Sequence, residues 1–152
     1  MPSTWTQNFY HLVFSTKRRE PMIDAPLEER LHPFLGGICR DLACTALAIN
    51  GFVDHVHLAV RYPPTLSHAD LARHVKARSS QWVHETFPAL GHFAWQEGYG
   101  GFTVSKSSLP KLVEYIQQQK EHHRRTSFVD EFMQILHAHG EDASFEDVFR
   151  DG

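Results

Sequence analysis

The chain has little cysteine, no long apolar run and no overall excess of positive charge. Cys39 and Cys44 are the only two cysteines in 152 residues. That is too few for a disulfide framework, and their spacing does not match a zinc knuckle, so both read as reduced packing residues. No apolar run approaches the roughly 20 residues of a membrane span, and Met1 to Tyr10 lacks the basic-then-apolar order of a signal peptide. The expected setting is cytoplasmic, with no membrane partner. The formal net charge of -3 argues at first sight against a nucleic-acid partner.

That charge is unevenly distributed. Residues 1–129 carry 14 Lys and Arg against 11 acids, whereas residues 130–152 carry one Arg and seven acids. The acidity belongs to the end of the chain, and the remainder is mildly basic. Its cations cluster at Lys17, Arg18 and Arg19, at Arg73, Lys76 and Arg78, and at Lys106, Lys111, Lys120, Arg124 and Arg125. Such groups hold phosphates through charge-assisted hydrogen bonds, and also occur as solvated ends of elements. With 41% hydrophobic and 22% charged residues, the composition fits a globular chain of one domain.

Turn residues and apolar periodicity divide the chain into elements. Thr4 to Ser15 is β-rich and runs into a basic loop, and Pro26 to Leu42 reads as a helix weakened by Gly36-Gly37. Thr45 to Val53 and His55 to Arg61 form a hairpin or a bent antiparallel pair. Ser67 caps a helix over Ala69 to Phe87, and Phe93 to Gln96 with Gly101 to Ser105 supplies a fourth strand region. Ser108 and Pro110 start a third helix running to about Arg125, and Phe128 to His137 is a short terminal helix. The β-α-β-β-α-β order predicts an α+β fold: a ferredoxin-like or RRM-like antiparallel sheet with helices packed on one face, plus a C-terminal tyrosine-bearing helix. The expected division is a single domain over 1–139 and a loosely held acidic tail over 140–152.

Twelve histidines are present, and two of them, His55 and His57, are one residue apart on an apolar strand. Residues i and i+2 of a strand point to the same face, so the pair can offer two imidazole nitrogens to one metal ion. The other such pair, His137 and His139, ends a helical run, where residues two apart diverge, and reads as a solvated terminus. On the third helix Leu112, Val113 and Ile116 form the apolar stripe, while Tyr115 and Gln119 lie one turn apart and can reach into one site together. Taken alone, Tyr115 reads as a core-edge aromatic and Gln119 as a surface helix former.

Four ordered blocks carry a resemblance. They are Tyr10-His-Leu-Val-Phe-Ser-Thr-Lys17, Gly51-Phe-Val-Asp-His-Val-His-Leu58, Trp95-Gln-Glu-Gly-Tyr-Gly-Gly-Phe-Thr-Val-Ser105 and Tyr115-Ile-Gln-Gln-Gln-Lys-Glu-His-His123. Together they resemble the small single-tyrosine transposases of the HUH nuclease superfamily, those of minimal bacterial insertion sequences and the REP-associated tyrosine transposases. The resemblance implies that His55 and His57 are metal ligands, Gln119 is the third ligand and Tyr115 is the nucleophile. It also implies cleavage of single-stranded DNA through a 5′-phosphotyrosine link, hairpins at the element ends, and a homodimer with active sites shared between subunits. An amide oxygen, two imidazoles and phosphate oxygens suit Mg²⁺ or Mn²⁺.

Ser105 and Lys106 precede the third helix and are candidates to contact DNA near the cleaved bond. His122 and His123, beyond the tyrosine, are candidates to touch phosphate or tune proton transfer, with a polar helix end as their ordinary reading. Lys17, Arg18, Arg73, Lys76 and Arg78 are DNA contacts argued from charge. Trp82, Trp95 and Tyr99 offer rings for stacking unpaired bases, with core packing the bland role of the two tryptophans. Competing readings are a non-catalytic single-strand-binding module on an RRM-like sheet, a metallohydrolase using bound water, and a host-retained nuclease of transposase ancestry.

Overall fold

The computed structural model describes residues 3–149. Four strands, β1 (Phe9–Ser15), β2 (Thr45–Phe52), β3 (His55–Arg61) and β4 (Gly100–Val104), form one sheet in the order β2-β3-β1-β4 with every neighbouring pair antiparallel. Helix α1 (Ala25–Asp41) joins β1 to β2, and α2 (His68–Thr86) lies between β3 and β4. The expected β-α-β-β-α-β plan is therefore present. After β4 come α3 (Leu109–Gln117), α4 (Gln119–His122), α5 (Phe128–Ala138) and the single turn α6 (Phe145–Val148).

Strand alternation sorts the two faces of the sheet. Tyr10, Leu12 and Phe14 of β1 and Val56, Leu58 and Val60 of β3 bury against Leu27, Leu31, Leu35 and Ile38 of α1 and Leu71, Ala72, Val75 and Val83 of α2. The intervening residues of both strands, including Val13, His55 and His57, must point the other way. Register pairs Val13 with His57 and Ser15 with His55, so they share that second face. There Val13 packs with Phe128 and Phe132 of α5 and with Phe149. Covering on both sides explains why all seven residues of β1 are buried.

Local chemistry starts the helices where expected. Asp24 accepts a hydrogen bond from the Leu27 amide and Ser67 from the Asp70 amide, satisfying orphan N–H groups of the first turns. Helix α1 continues through Gly36-Gly37, since its buried leucine stripe outweighs the glycines' backbone entropy. The third helix departs from the continuous run expected to Arg125: it breaks at Gln118, with φ −98° and ψ 18°, and restarts as α4. Trp95 meets Thr16 only as an isolated bridge, so β4 is confined to the glycine-rich segment.

Two glycines bring the site elements close. A Cβ on Gly51 would lie 2.1 Å from the His55 carbonyl oxygen, so only glycine lets the β2–β3 turn close beside the first histidine. A Cβ on Gly100 would lie 2.4 Å from the Phe132 ring, so the bare backbone of β4 lets α5 settle on the sheet. In the segment expected to be loose, Phe149 is buried and lies under the Arg19 guanidinium, 4.5 Å from the ring centroid. Residues 150–152 of that segment lie outside the described residues.

Candidate metal centre and tyrosine site

Both strand histidines are fully buried, and their side chains meet α4 and α5 above the sheet. His55 Nε2 lies 2.9 Å from Gln119 Oε1, and His57 Nε2 lies 3.0 Å from Glu131 Oε1. Tyr115 Oη donates a short hydrogen bond to Glu131 Oε2, and Gln119 Nε2 donates to the same oxygen at 2.9 Å. His123 Nε2 stands 3.0 Å from Glu131 Oε1. Tyr115, Gln119, His55 and His57 of one chain thus converge on a single centre despite the break at Gln118.

The outer contacts orient these rings. His55 Nδ1 lies 2.7 Å from the Asp54 carboxylate and His123 Nδ1 lies 2.6 Å from the Thr126 carbonyl. With Nδ1–H donating to those acceptors, each ring when neutral has its Nε2 lone pair directed at the centre, and when protonated donates from Nε2 instead. His57 Nδ1 is 2.8 Å from Nε2 of the buried His11, which stacks on it from β1.

The donor set fits a cation. His55 faces the Asp54 carboxylate with one nitrogen and the Gln119 carbonyl oxygen with the other. Both are acceptors, and a neutral imidazole has one N–H, so one contact opposes lone pairs until a positive centre is supplied. Turning the Gln119 amide over only moves the conflict to the Glu131 carboxylate. One ligand atom from each of His55, His57, His123 and Glu131 falls within 4.8 Å of the others. His122 adds a buried Nε2 without a hydrogen-bond partner, 3.4 Å from Glu131 Oε2.

Electrostatics describe the metal-free state. Burial pushes the Glu131 carboxyl up, but hydrogen bonds from His123 and His57 outweigh it and hold the group well below the usual carboxylate range. Burial, reinforced by the Glu131 charge, pushes the Tyr115 phenol well above its ordinary value, so Tyr115 is a protonated donor here. Burial lowers His57 to about 4 and His11 to about 3. His123 is raised: burial opposes its charge, and the Glu131 hydrogen bond more than compensates.

These shifts predict a pH dependence of folding for metal-free protein. Between the ordinary histidine value of 6.5 and about 4, unfolded chains bind protons at His11 and His57 that the folded state refuses. Stability from these two groups is complete above pH 6.5 and falls as pH drops. Glu131 adds a loss below pH 4.5, and His123 acts in the opposite sense, its contribution being lost as pH rises through its raised value. With EDTA present, urea midpoints are expected to decrease from pH 7 to pH 4; a flat profile would contradict neutral buried histidines.

His11 is a positioning residue that strand-pattern reading missed. Its alternation on β1 was the available signal, and the β1–β3 register brings it to His57. Replacing His11 with Phe removes the partner of His57 Nδ1 and is expected to weaken Mn²⁺ binding about 10–100-fold, measured by calorimetry, with an unchanged circular dichroism spectrum; wild-type affinity would contradict a positioning role.

The expected DNA contacts scatter around this centre. His122 is beside it, with its ring 5.5 Å from that of Tyr115. Lys17 and Arg18 follow Ser15, the partner of His55, at the near end of the sheet. Ser105 and Lys106 follow Val104, which pairs with Phe9 at the far end; Ser105 Oγ accepts from the Ser108 amide. Arg73, Lys76 and Arg78 are on α2, behind the opposite face. Arg73 pairs with Asp70, Arg78 with Asp41, and Lys76 donates to the Gln96 and Gly98 carbonyls. Trp82 stacks on Phe34 and Trp95 is buried with its indole N–H on Ser79, whereas Tyr99 is exposed. Cys39 and Cys44 are buried free thiols, and among the described residues no helix is long and apolar enough to cross a membrane.

This architecture, with a tyrosine-bearing helix over the sheet, is the fold of tyrosine transposases. It matches a REP-associated tyrosine transposase solved with a REP hairpin, with TM-score 0.61 and 13% identity over 81% of this chain and 73% of that one. A transposase candidate from Deinococcus radiodurans R1 superposes with TM-score 0.65 and 24% identity over 78% of this chain and 95% of that one. The model of the IS200-like transposase family matches residues 4–119, and the chain belongs to that family. It is 27% identical over 117 residues to the transposase of insertion sequence IS200 from Salmonella typhimurium, covering 74% of this chain and 76% of the relative. The same figures hold for the IS200 transposase of Salmonella typhi.

Proposed function

We propose that the protein is a metal-dependent transposase that cuts and rejoins single-stranded DNA through a covalent 5′-phosphotyrosine intermediate at Tyr115. The observation that carries this reading is the convergence of the Tyr115 hydroxyl and Gln119 with His55 and His57 through Glu131. A non-catalytic single-strand-binding module would not need that convergence. His55, His57 and Gln119 would hold Mg²⁺ or Mn²⁺, which when bound would supply charge neutralisation and polarisation of the scissile phosphate.

Tyr115 Oη loses its proton and forms a bond to the 5′ phosphorus; the bond from phosphorus to the 3′ oxygen breaks, and that oxygen takes up a proton. One phosphodiester becomes another, so rejoining reverses the step without a nucleotide cofactor. Glu131 must give up the Tyr115 proton contact for the strand to enter, because the phenol is held protonated while that carboxylate faces it. Hairpins at the element ends are the proposed recognition feature, supported by the hairpin-bound structural relative. A single tyrosine serves one strand at a time, so a homodimer in the cytoplasm would process two ends. Lys17, Arg18 and His122 are nearest the centre among the proposed DNA contacts.

The test is incubation of the purified chain with labelled single-stranded DNA from the ends of its own locus and Mg²⁺ or Mn²⁺, followed by a denaturing gel. A labelled protein band that requires metal supports the reading. Binding without any such band at either end would favour the non-catalytic module.

A further inference from the structure

We propose that His123 and Glu131 complete the metal site, so that the DNA-free chain holds a first-row transition-metal dication such as Mn²⁺ with three imidazoles and a carboxylate, and holds Mg²⁺ far more weakly. This deepens the metal reading above and rests on it. Both residues lie beyond residue 119, where the family match ends.

The geometry is that of ligands around a shared centre. Nε2 atoms of His57 and His123 are each 3.0 Å from Glu131 Oε1, and that of His55 is 3.4 Å away. For ligand bonds of about 2.0–2.2 Å, adjacent ligand atoms lie about 3.0–3.5 Å apart in octahedral or tetrahedral sites. The anchoring of His123 repeats that of His55: Nδ1 is committed to an oxygen acceptor and Nε2 is turned inward. Phe52 stacks on the His123 ring at 5.6 Å and fixes its plane. Phe128 and Phe132, one turn apart on α5, bury against Val13 and set Glu131 at depth, with 1% of its surface exposed.

In the metal-free chain the Glu131 carboxylate is met by Tyr115, Gln119, His57 and His123; a dication at the centre would replace the imidazole protons and be bound by the same nitrogens and carboxylate. Glu131 supplies the negative charge that Gln119, a neutral amide, lacks, and so offsets part of the cost of desolvating a dication. Imidazole nitrogen binds first-row transition dications, least strongly Mn²⁺ and increasingly the later ions, whereas Mg²⁺ prefers oxygen ligands and retained water. The selectivity therefore follows from three imidazoles rather than two.

Calorimetric titration of metal-free full-length protein with Mn²⁺ and with Mg²⁺ tests the assignment. One Mn²⁺ per chain is expected, with Mg²⁺ at least about 100-fold weaker. Glu131→Gln and His123→Asn are each expected to weaken Mn²⁺ at least about tenfold while retaining the wild-type circular dichroism spectrum. Wild-type Mn²⁺ affinity in both folded variants would overturn the proposal. So would a Glu131→Gln chain that keeps its Mn²⁺ and forms more DNA adduct, marking Glu131 as a blocking carboxylate.

Should either variant not fold, the anomalous signal of wild-type crystals soaked in Mn²⁺ decides. A peak bonded to Glu131 and His123 supports the site, and one bonded only to His55, His57 and Gln119 overturns it. Tyr115→Phe separates the two readings, because it should leave Mn²⁺ binding intact. Tight Mn²⁺ binding without any DNA adduct in the wild type would sink the strand-transfer reading and leave this one standing.

Discussion

Tyr115→Phe is expected to form no covalent protein–DNA product, a loss of at least about 1,000-fold relative to wild type, while binding the same single strand as tightly. The substitution removes one oxygen and nothing else that reaches the DNA backbone. Its ring remains to pack at 5.8 Å from His57. The lost hydrogen bond to the charged Glu131 is worth about 1.5–3 kcal/mol, but His57, His123 and Gln119 still satisfy that carboxylate, so the fold should hold. Folding and strand affinity therefore serve as internal controls. A metal-dependent adduct persisting in the variant would move the nucleophile elsewhere; metal-dependent cleavage without an adduct would point to an attacking water.

His57→Ala should remove metal-dependent cleavage and weaken Mn²⁺ binding by more than about 100-fold. The effect is larger than that of His11→Phe because the lost nitrogen faces the centre directly, whereas His11 acts through it. His57 also stands between two buried polar groups, His11 and Glu131. Deleting it takes one hydrogen-bond partner from each, and an unmet buried polar group costs about 1–3 kcal/mol. A lower unfolding midpoint should therefore accompany the loss of cleavage, so the measurement is made below that midpoint, with strand binding by gel shift as the test of integrity. Cleavage at the wild-type rate in Mg²⁺ or Mn²⁺ would contradict the ligand assignment.

The value of the centre to the reaction lies in what it does to Tyr115. In the DNA-free arrangement the phenol is buried against a carboxylate, which holds its proton on. A phosphodiester is also an anion, so the incoming strand competes with Glu131 for the same donors: Tyr115, Gln119 and the histidines. Under the proposed function, cations of the Lys17–Arg18 turn, which follows the strand end that pairs with His55, would favour that exchange.

The β-α-β-β-α-β order, the pairing of His55 with His57 on one face, and the sharing of a site by Tyr115 and Gln119 could all be read from the chain. Each is a consequence of local periodicity: alternation by two in a strand, or one turn of a helix. Gln118 shows the limit of that reading, for the helix breaks there although nothing in its side chain forbids continuation; packing of α4 through Lys120 onto Glu28, Asn50 and Gly51 accompanies the new direction.

His11 and Glu131 were decided by tertiary structure alone, and so was the convergence of His123, a candidate for phosphate contact by sequence, on the centre. His11 reaches His57 only through the β1–β3 register, and Glu131 reaches it only because Phe128 and Phe132 fold α5 back over a glycine-paved edge of the sheet. In sequence, Glu131 is one of seven acids in a segment whose ordinary reading is a solvated acidic end. A carboxylate's partners are set by distance in space, and 74 residues separate this one from His57; local periodicity carries no information across such a gap, whereas the packing of two phenylalanines does.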